Sequence, residues 1–137
     1  MSLKKTLTSV LIPYCFKDEV LYVFLQRRSD DAPRGPNFLG AFGGAVEDGE
    51  TNIQAFNREL QEELNYTPRH YEELGAFETD GYCSTCYIEN VAPGFEDHIT
   101  INEGKGGEWH AAKEVEILPD VMPNTRKALR AMLEKLV

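Results

Sequence analysis

Between Gly44 and Tyr66 the chain carries small and charged residues at intervals that a random sequence rarely produces. It reads Gly44, five residues, Glu50, seven residues, then Arg58-Glu59-Leu60-Gln61-Glu62-Glu63-Leu64-Asn65-Tyr66. The second half has the local signals of a helix. Thr51 is the expected N-cap, Gln54 stands three residues on as its capping-box partner, and strong helix formers continue through Leu64. At about 100° per residue, Ile53, Phe56, Leu60 and Leu64 share one arc, the side expected to pack, and Glu59, Glu62 and Glu63 share the adjoining one. Like charges three and four residues apart weaken a helix by a few tenths of a kcal/mol each, so a cation is expected on the acidic side. An all-oxygen donor set suits a hard ion, Mg²⁺ or Mn²⁺, rather than zinc. Glu50, just before the helix, is placed to pair with Arg58 and steady the turn between them. On the helix alone, a plain solvated acidic face stays open as an alternative.

The full spacing resembles the signature of the Nudix hydrolases, which cleave a nucleoside diphosphate linked to another moiety. Gly44, Glu50, Arg58, Glu59, Leu60, Glu62 and Glu63 match it. Six matches among its seven fixed non-aliphatic positions arise by chance on the order of once in a million windows at average residue usage. Asn65 stands where the family has Gly; it ends a helix nearly as well, because Asn is the best non-Gly residue in a left-handed conformation. Tyr66 replaces an aliphatic residue, and Phe42 stands where many members have Pro. The resemblance implies an α/β/α sandwich around a mixed sheet. It also implies Glu59 and Glu63 as primary metal ligands, Glu62 as a direct or water-mediated one, the Gly44 carbonyl as another, and Arg58 as an orienting group.

Composition constrains the partners. With 23 acidic against 14 basic residues and a net charge of −9, the surface repels nucleic acid polymers. It also repels a free nucleotide unless divalent ions neutralise the site. A chain of 137 residues is expected to form one domain, 1–137, burying about 70% of its unfolded surface. The apolar run Leu7–Phe16 is broken by Pro13 and shows no cleavage site, and nothing approaches a membrane span, so a reducing cytoplasmic setting is expected. A homodimer is left open.

Leu7–Phe16 and Val20–Leu25 read as a hairpin of strands turning at Lys17-Asp18, the second apolar enough to be covered on both faces. Ser29–Asn37 is a loop, holding Pro33, Gly35 and Pro36. Phe38–Ala45 enters the box as a short strand or extended segment. Tyr71–Thr79 and Tyr82–Glu89 read as a second hairpin around Asp80-Gly81. A last helix, begun at Asn124 or Thr125 after Pro123, carries Leu129, Met132, Leu133 and Leu136 and is expected to pack only. Cys83 and Cys86 are three apart in a strand, hence on opposite faces, and read as simple thiols.

By the resemblance, an Arg at the end of the second strand faces substrate. Alternation allows only one of Arg27 and Arg28, and Arg28 is the choice. Tyr14, Phe16, Phe38, Tyr82 and Tyr87 are aromatic candidates for stacking, Phe38 foremost. The glycine-rich stretch Glu103–Trp109 resembles a loop of the MutT branch, in which a Glu six residues before the Trp reaches the metal site. Glu103 is thus expected to swing in on a mobile loop anchored by Trp109, with Glu108 less important. Both Glu59 and Glu103 remain candidates for general base. The expected substrate is a small nucleotide, first a nucleoside triphosphate. The alternatives are a nucleotide sugar or dinucleotide, or binding without catalysis.

Overall fold

The computed structural model describes residues 5–79 and 81–137. Strand β1 (Thr6–Lys17) runs into β2 (Val20–Arg27) through a two-residue turn. Lys17 pairs with Val20, so the turn residues are Asp18 and Glu19, one place later than Lys17-Asp18. Both have positive φ, 52° and 66°, the twist that a tight hairpin demands and that non-glycine residues adopt at a cost.

The hairpin does not stay closed. β1 pairs with β2 only from Tyr14 to Lys17 and then diverges. The gap is filled by β3 (Leu39–Gly40), which pairs with β2 at Gln26 and Arg27, and by β4 (Phe42–Ala45), which pairs with β1 from Thr8 to Leu11. This wedge delivers Gly43 and Gly44 into the middle of the sheet. Gly43 sits at φ 135°, and a Cβ there would meet the Ser9 carbonyl oxygen at 2.1 Å. Only glycine lets the two backbones come this close.

After helix α1 (Asn52–Leu64), β5 (Tyr71–Thr79) and β6 (Tyr82–Asn90) form the second hairpin. Of its expected turn, Asp80 lies outside the described residues. β6 runs parallel to β1 from Thr6 to Tyr14, so the sheet is mixed. β7 (Gly106–Ala111) adds to the other side of β2. Helices α2 (Ala112–Val115) and α3 (Pro123–Leu136) follow.

Strand alternation divides the apolar residues between two layers. Leu11, Phe24, Phe42 and Tyr87 meet Phe56, Leu60 and Leu64 of α1. Ile12, Val23, Leu25, Cys86 and Ile88 meet Val115 and Leu129 and Met132 of α3. The result is the expected α/β/α sandwich. α1 is closed at both ends as its sequence predicts, by the Thr51–Gln54 capping box and by Asn65 at φ 52°. Its apolar arc is narrower than predicted: Ile53 is 37% exposed, while Glu63 is only 3% exposed. α3 begins at Pro123, whose fixed φ suits a first helical position. Asn124 and Thr125 lie inside it and are buried against the sheet. The three cysteines are free thiols, Cys15 and Cys86 buried and Cys83 half-buried.

Candidate active site

Arg58 organises the mouth of the box. Its Nε and Nη2 donate to Glu50 Oε2 and Oε1 at 2.8 and 2.9 Å, Nη2 also donates to the Ala45 carbonyl at 2.9 Å, and Nη1 donates to Glu59 Oε1 at 2.8 Å. Glu50 Oε1 accepts a further bond from the Glu47 amide at 2.8 Å, closing the turn before α1. The Arg58 guanidinium and this amide hold the Glu50 carboxyl down at about 2.

The three helix glutamates differ in surroundings. Glu62 is largely exposed, 3.5 Å from Arg58 Nη1. Glu59 lies under Gly44, where a Cβ would come within 2.6–2.8 Å of the Glu59 carboxyl atoms, so the bare glycine makes room for the acid. Burial raises the Glu59 pKa against the lowering pull of Arg58. Glu63 is buried, and its Oε2 has no hydrogen-bond partner among the described residues. Its Oε1 accepts from Gln26 Nε2 at a long 3.5 Å, and the Gly43 backbone amide lies near enough to favour the ionised form slightly. Burial first, then the nearby Glu103 and Glu59 charges, push the Glu63 carboxyl up to about 8. A buried acid with an orphaned oxygen, facing two more acids, is what a cation would neutralise. Among the described residues no three His, Cys, Asp or Glu side chains already converge on a single point, because Glu59 leans to Arg58 and Glu62 to solvent.

Glu103 lies beside this group, near enough for its charge to act on Glu59, Glu63 and Arg28. Its segment, expected as a mobile loop, is an exposed bend and turn tied at its ends. β7 already begins at Gly106, the Lys105 amide donates to the Arg27 carbonyl at 2.8 Å, and Gln26 Nε2 donates to the Glu103 carbonyl at 3.2 Å. Long-range pairing with β2 overrides the local glycine content. Trp109 anchors β7 by packing on Phe24 at 5.1 Å and donating to Glu96.

The two arginines separate as alternation predicts. Arg27 is committed to structure: Nε and Nη2 bind both Glu108 oxygens at 2.8 and 2.9 Å, and Nη1 binds Asp120 at 2.8 Å. Arg28 donates through Nε to the Arg34 carbonyl and faces a cavity of about 160 Å³ on the α3 side of the sheet. Gly43 and Gly44 form the part of the cavity wall next to the box, Thr8, Ser84 and Asn124 add polar groups, and Tyr82 lies at its rim under the Arg34 guanidinium, 3.5 Å from the ring centre. Asn124 Nδ2 donates to Ser84 Oγ at 3.1 Å, and its buried Oδ1 has no partner among the described residues. Phe38 does not line this cavity. It lies in an adjoining open hollow with Pro36, Pro123 and Lys127, because Leu39 and not Phe38 is the residue that turns into the core. Tyr14 and Tyr87 are buried, and Phe16 is an exposed strand-end residue. Gln26, Asn124 and Ser84 carry no signal in the sequence, since nothing local distinguishes them from ordinary strand or helix polar residues.

A mixed sheet wedged open by a Gly-Gly strand, with the acidic helix on one face and a cavity on the other, defines a class, and comparison identifies it. The chain matches the NUDIX domain family over residues 5–132. It is 33% identical over 117 residues, 83% of this chain and 87% of the relative, to the 8-oxo-dGTP diphosphatase of Escherichia coli (strain K12). Its fold is similar to the NUDIX domain of Shewanella oneidensis NrtR, solved with ADP ribose, at TM-score 0.74, 19% identity and coverage of 99% and 91% of the two chains. It is similar also to a MutT protein from Methanosarcina mazei Go1, at TM-score 0.76, 16% identity and coverage of 99% and 100%. The chain belongs to the Nudix family and is a pyrophosphohydrolase of that class. No helix among the described residues is long and apolar enough to cross a membrane.

Proposed function

We propose that this chain, acting as one domain in the cytoplasm, hydrolyses a nucleoside triphosphate at a phosphoanhydride bond with Mg²⁺ or Mn²⁺. The observation that carries the reading is Glu63, a buried carboxylate with an unpartnered oxygen beside Glu59 and Glu103. The donor set is all oxygen, and the missing Cβ of Gly44 leaves room for the Glu59 carboxyl against that residue's backbone. These features fit a hard divalent ion. Glu59, Glu62, Glu63, the Gly44 carbonyl and Glu103 would hold it; when bound, it neutralises phosphate charge and assists attack by water.

The remaining work falls to the chain itself. Arg58 keeps Glu59 in place, and Glu50 keeps Arg58 in place. Arg28 supplies a guanidinium for phosphate oxygens at the point where the cavity meets the box. The cavity takes the base, with the unpartnered Asn124 Oδ1 accepting a hydrogen bond from it. Glu59 or Glu103 accepts the proton of the attacking water. The E. coli relative acts on 8-oxo-dGTP, and a purine nucleoside triphosphate, oxidised or not, is the substrate class favoured here.

The hollow holding Phe38 shares Arg34 and Met122 with the cavity, and would accommodate the second moiety of a nucleotide sugar or dinucleotide. A hydrolysis panel of 8-oxo-dGTP, dGTP, dATP, UTP, ADP-ribose and a dinucleoside polyphosphate, each with Mg²⁺ or Mn²⁺, separates these readings. Preferred release of pyrophosphate from a purine triphosphate is expected, lost in E63Q. Preference for ADP-ribose or a dinucleotide overturns the triphosphate reading, and no turnover on any compound favours a binding module.

A further inference from the structure

The last four carbonyls of a helix have no partners within it. In α1 the Gln61 carbonyl is taken by the Asn65 amide. The other three are taken by a strap from far along the chain. Thr100 N–H donates to Leu64 O at 3.0 Å, Asn102 N–H to Glu63 O at 2.8 Å, and Asn102 Nδ2 to Glu62 O at 3.0 Å. Asn102 thus bonds the backbone of two box glutamates at once, and the next residue is Glu103. Beyond Glu103 the chain is fixed again. Gly104, at φ 75°, lies so close that a Cβ would be 2.7 Å from the Arg27 carbonyl oxygen, and the Lys105 amide donates to that oxygen.

From this geometry we propose that Asn102 is a positioning residue for Glu103: it pins the Glu103 backbone to the C-terminal end of α1 and so holds the fourth carboxylate toward Glu59 and Glu63. Asn102 is itself exposed, and its side-chain bond goes to backbone, not to a carboxylate. Its side chain matters because the backbone bonds of Thr100 and Asn102 can form with any residue at 102 but are reinforced by the bond to Glu62 O, which needs a side-chain donor of this length. The Asn side chain supplies that donor, and Ala or Asp does not. Held on both sides, Glu103 keeps its place without the ordering cost that a free loop would carry. The inference rests on the reading of Glu103 as part of the site.

Two kinds of measurement test it. With 8-oxo-dGTP and Mg²⁺, N102A is expected to lower kcat about tenfold with KM within about threefold, and to change kcat less than about twofold when placed in an E103Q background. In metal-free protein, hydrogen exchange at the Thr100 and Asn102 amides is expected to speed at least about tenfold in N102A, with amides of β1 and β6 unchanged. If E103Q is impaired but N102A is not, the strap has no positioning role. That role is equally overturned if N102A costs the same factor with and without Glu103, because its effect is then structural. Wild-type kcat in E103Q overturns the reading of Glu103 itself, and the positioning role with it.

Discussion

Arg58 bridges two carboxylates that lie on either side of it in sequence, gripping Glu50 with Nε and Nη2 and Glu59 with Nη1. Eight residues separate Glu50 from Arg58 along the chain, yet the turn bonded by the Glu47 amide folds Glu50 back over the first turns of α1. E50Q and R58A are each expected to lower kcat about 10²-fold by loosening Glu59. The double variant should cost clearly less than the product of the two, because each single change strands the other partner. A kinetic double-mutant cycle measures this, and strictly multiplicative losses would count against the pair.

The two glycines of the wedge are expected to fail differently. In G43A the new Cβ meets backbone at 2.1 Å in a positive-φ position, and neither can yield. In G44A the obstacle is the Glu59 carboxyl, a side-chain end that can swing aside. G43A is therefore expected to lose the cooperative thermal transition, or several kcal/mol of stability. G44A should unfold near the wild-type temperature while losing about 10²-fold or more in kcat. Circular dichroism melts alongside steady-state kinetics distinguish the two, and an active G44A enzyme would remove Glu59 from its assigned place.

The buried Glu63 predicts an unusual pH dependence. Its pKa rises from 4.5 to about 8 on folding, so between those values the folded state holds a proton that the unfolded chain has released. Metal-free stability therefore falls as pH rises through this window. E63Q, which never ionises, is expected to melt on the order of 5 °C above wild type near about pH 8.5, with the difference vanishing below about pH 4.5. Added Mg²⁺ should stabilise wild type, not E63Q, at the higher pH. Equal melting temperatures for the two metal-free proteins at all pH values would contradict the orphaned carboxylate.

Glu108 gives the opposite sign. Arg27, then His110, hold its carboxyl down at about 2, so its stabilising contribution is present above the unfolded value of 4.5 and is lost as pH falls toward 2. E108Q is expected to lower the melting temperature at about pH 7 and to match wild type near about pH 2, with kcat within about threefold of wild type. Loss of turnover in E108Q together with a normal E103Q enzyme would exchange the roles given to the two acids.

Features set by neighbouring residues were legible in advance. The capping box, the left-handed Asn65, the two hairpins and the grouping of Glu59, Glu62 and Glu63 each depend on a few adjacent positions. What could not be read depends on distant backbone. The glycines at 104, 106 and 107 suggest freedom until β7 pairs with β2, and Phe38 suggests a stacking platform until Leu39 is seen to take the inward place. Gln26 and Asn102 look unremarkable because their partners, Glu103 and the end of α1, lie 77 and 40 residues away.

The parallel pairing of β1 with β6 also sets an order of assembly. Thr8 meets Ser84 from 76 positions away in the chain, whereas β1 with β2 and β5 with β6 pair strands that follow one another closely in sequence. Closing the long loop first would cost much entropy for little contact, so the two hairpins are expected to form early and dock late. The wedge seats only once β1 and β2 have diverged. Its glycines close the structure, and an obstructed Gly43 would leave the Thr8–Leu11 stretch of β1 without its β4 partner, a free edge from which aggregation starts.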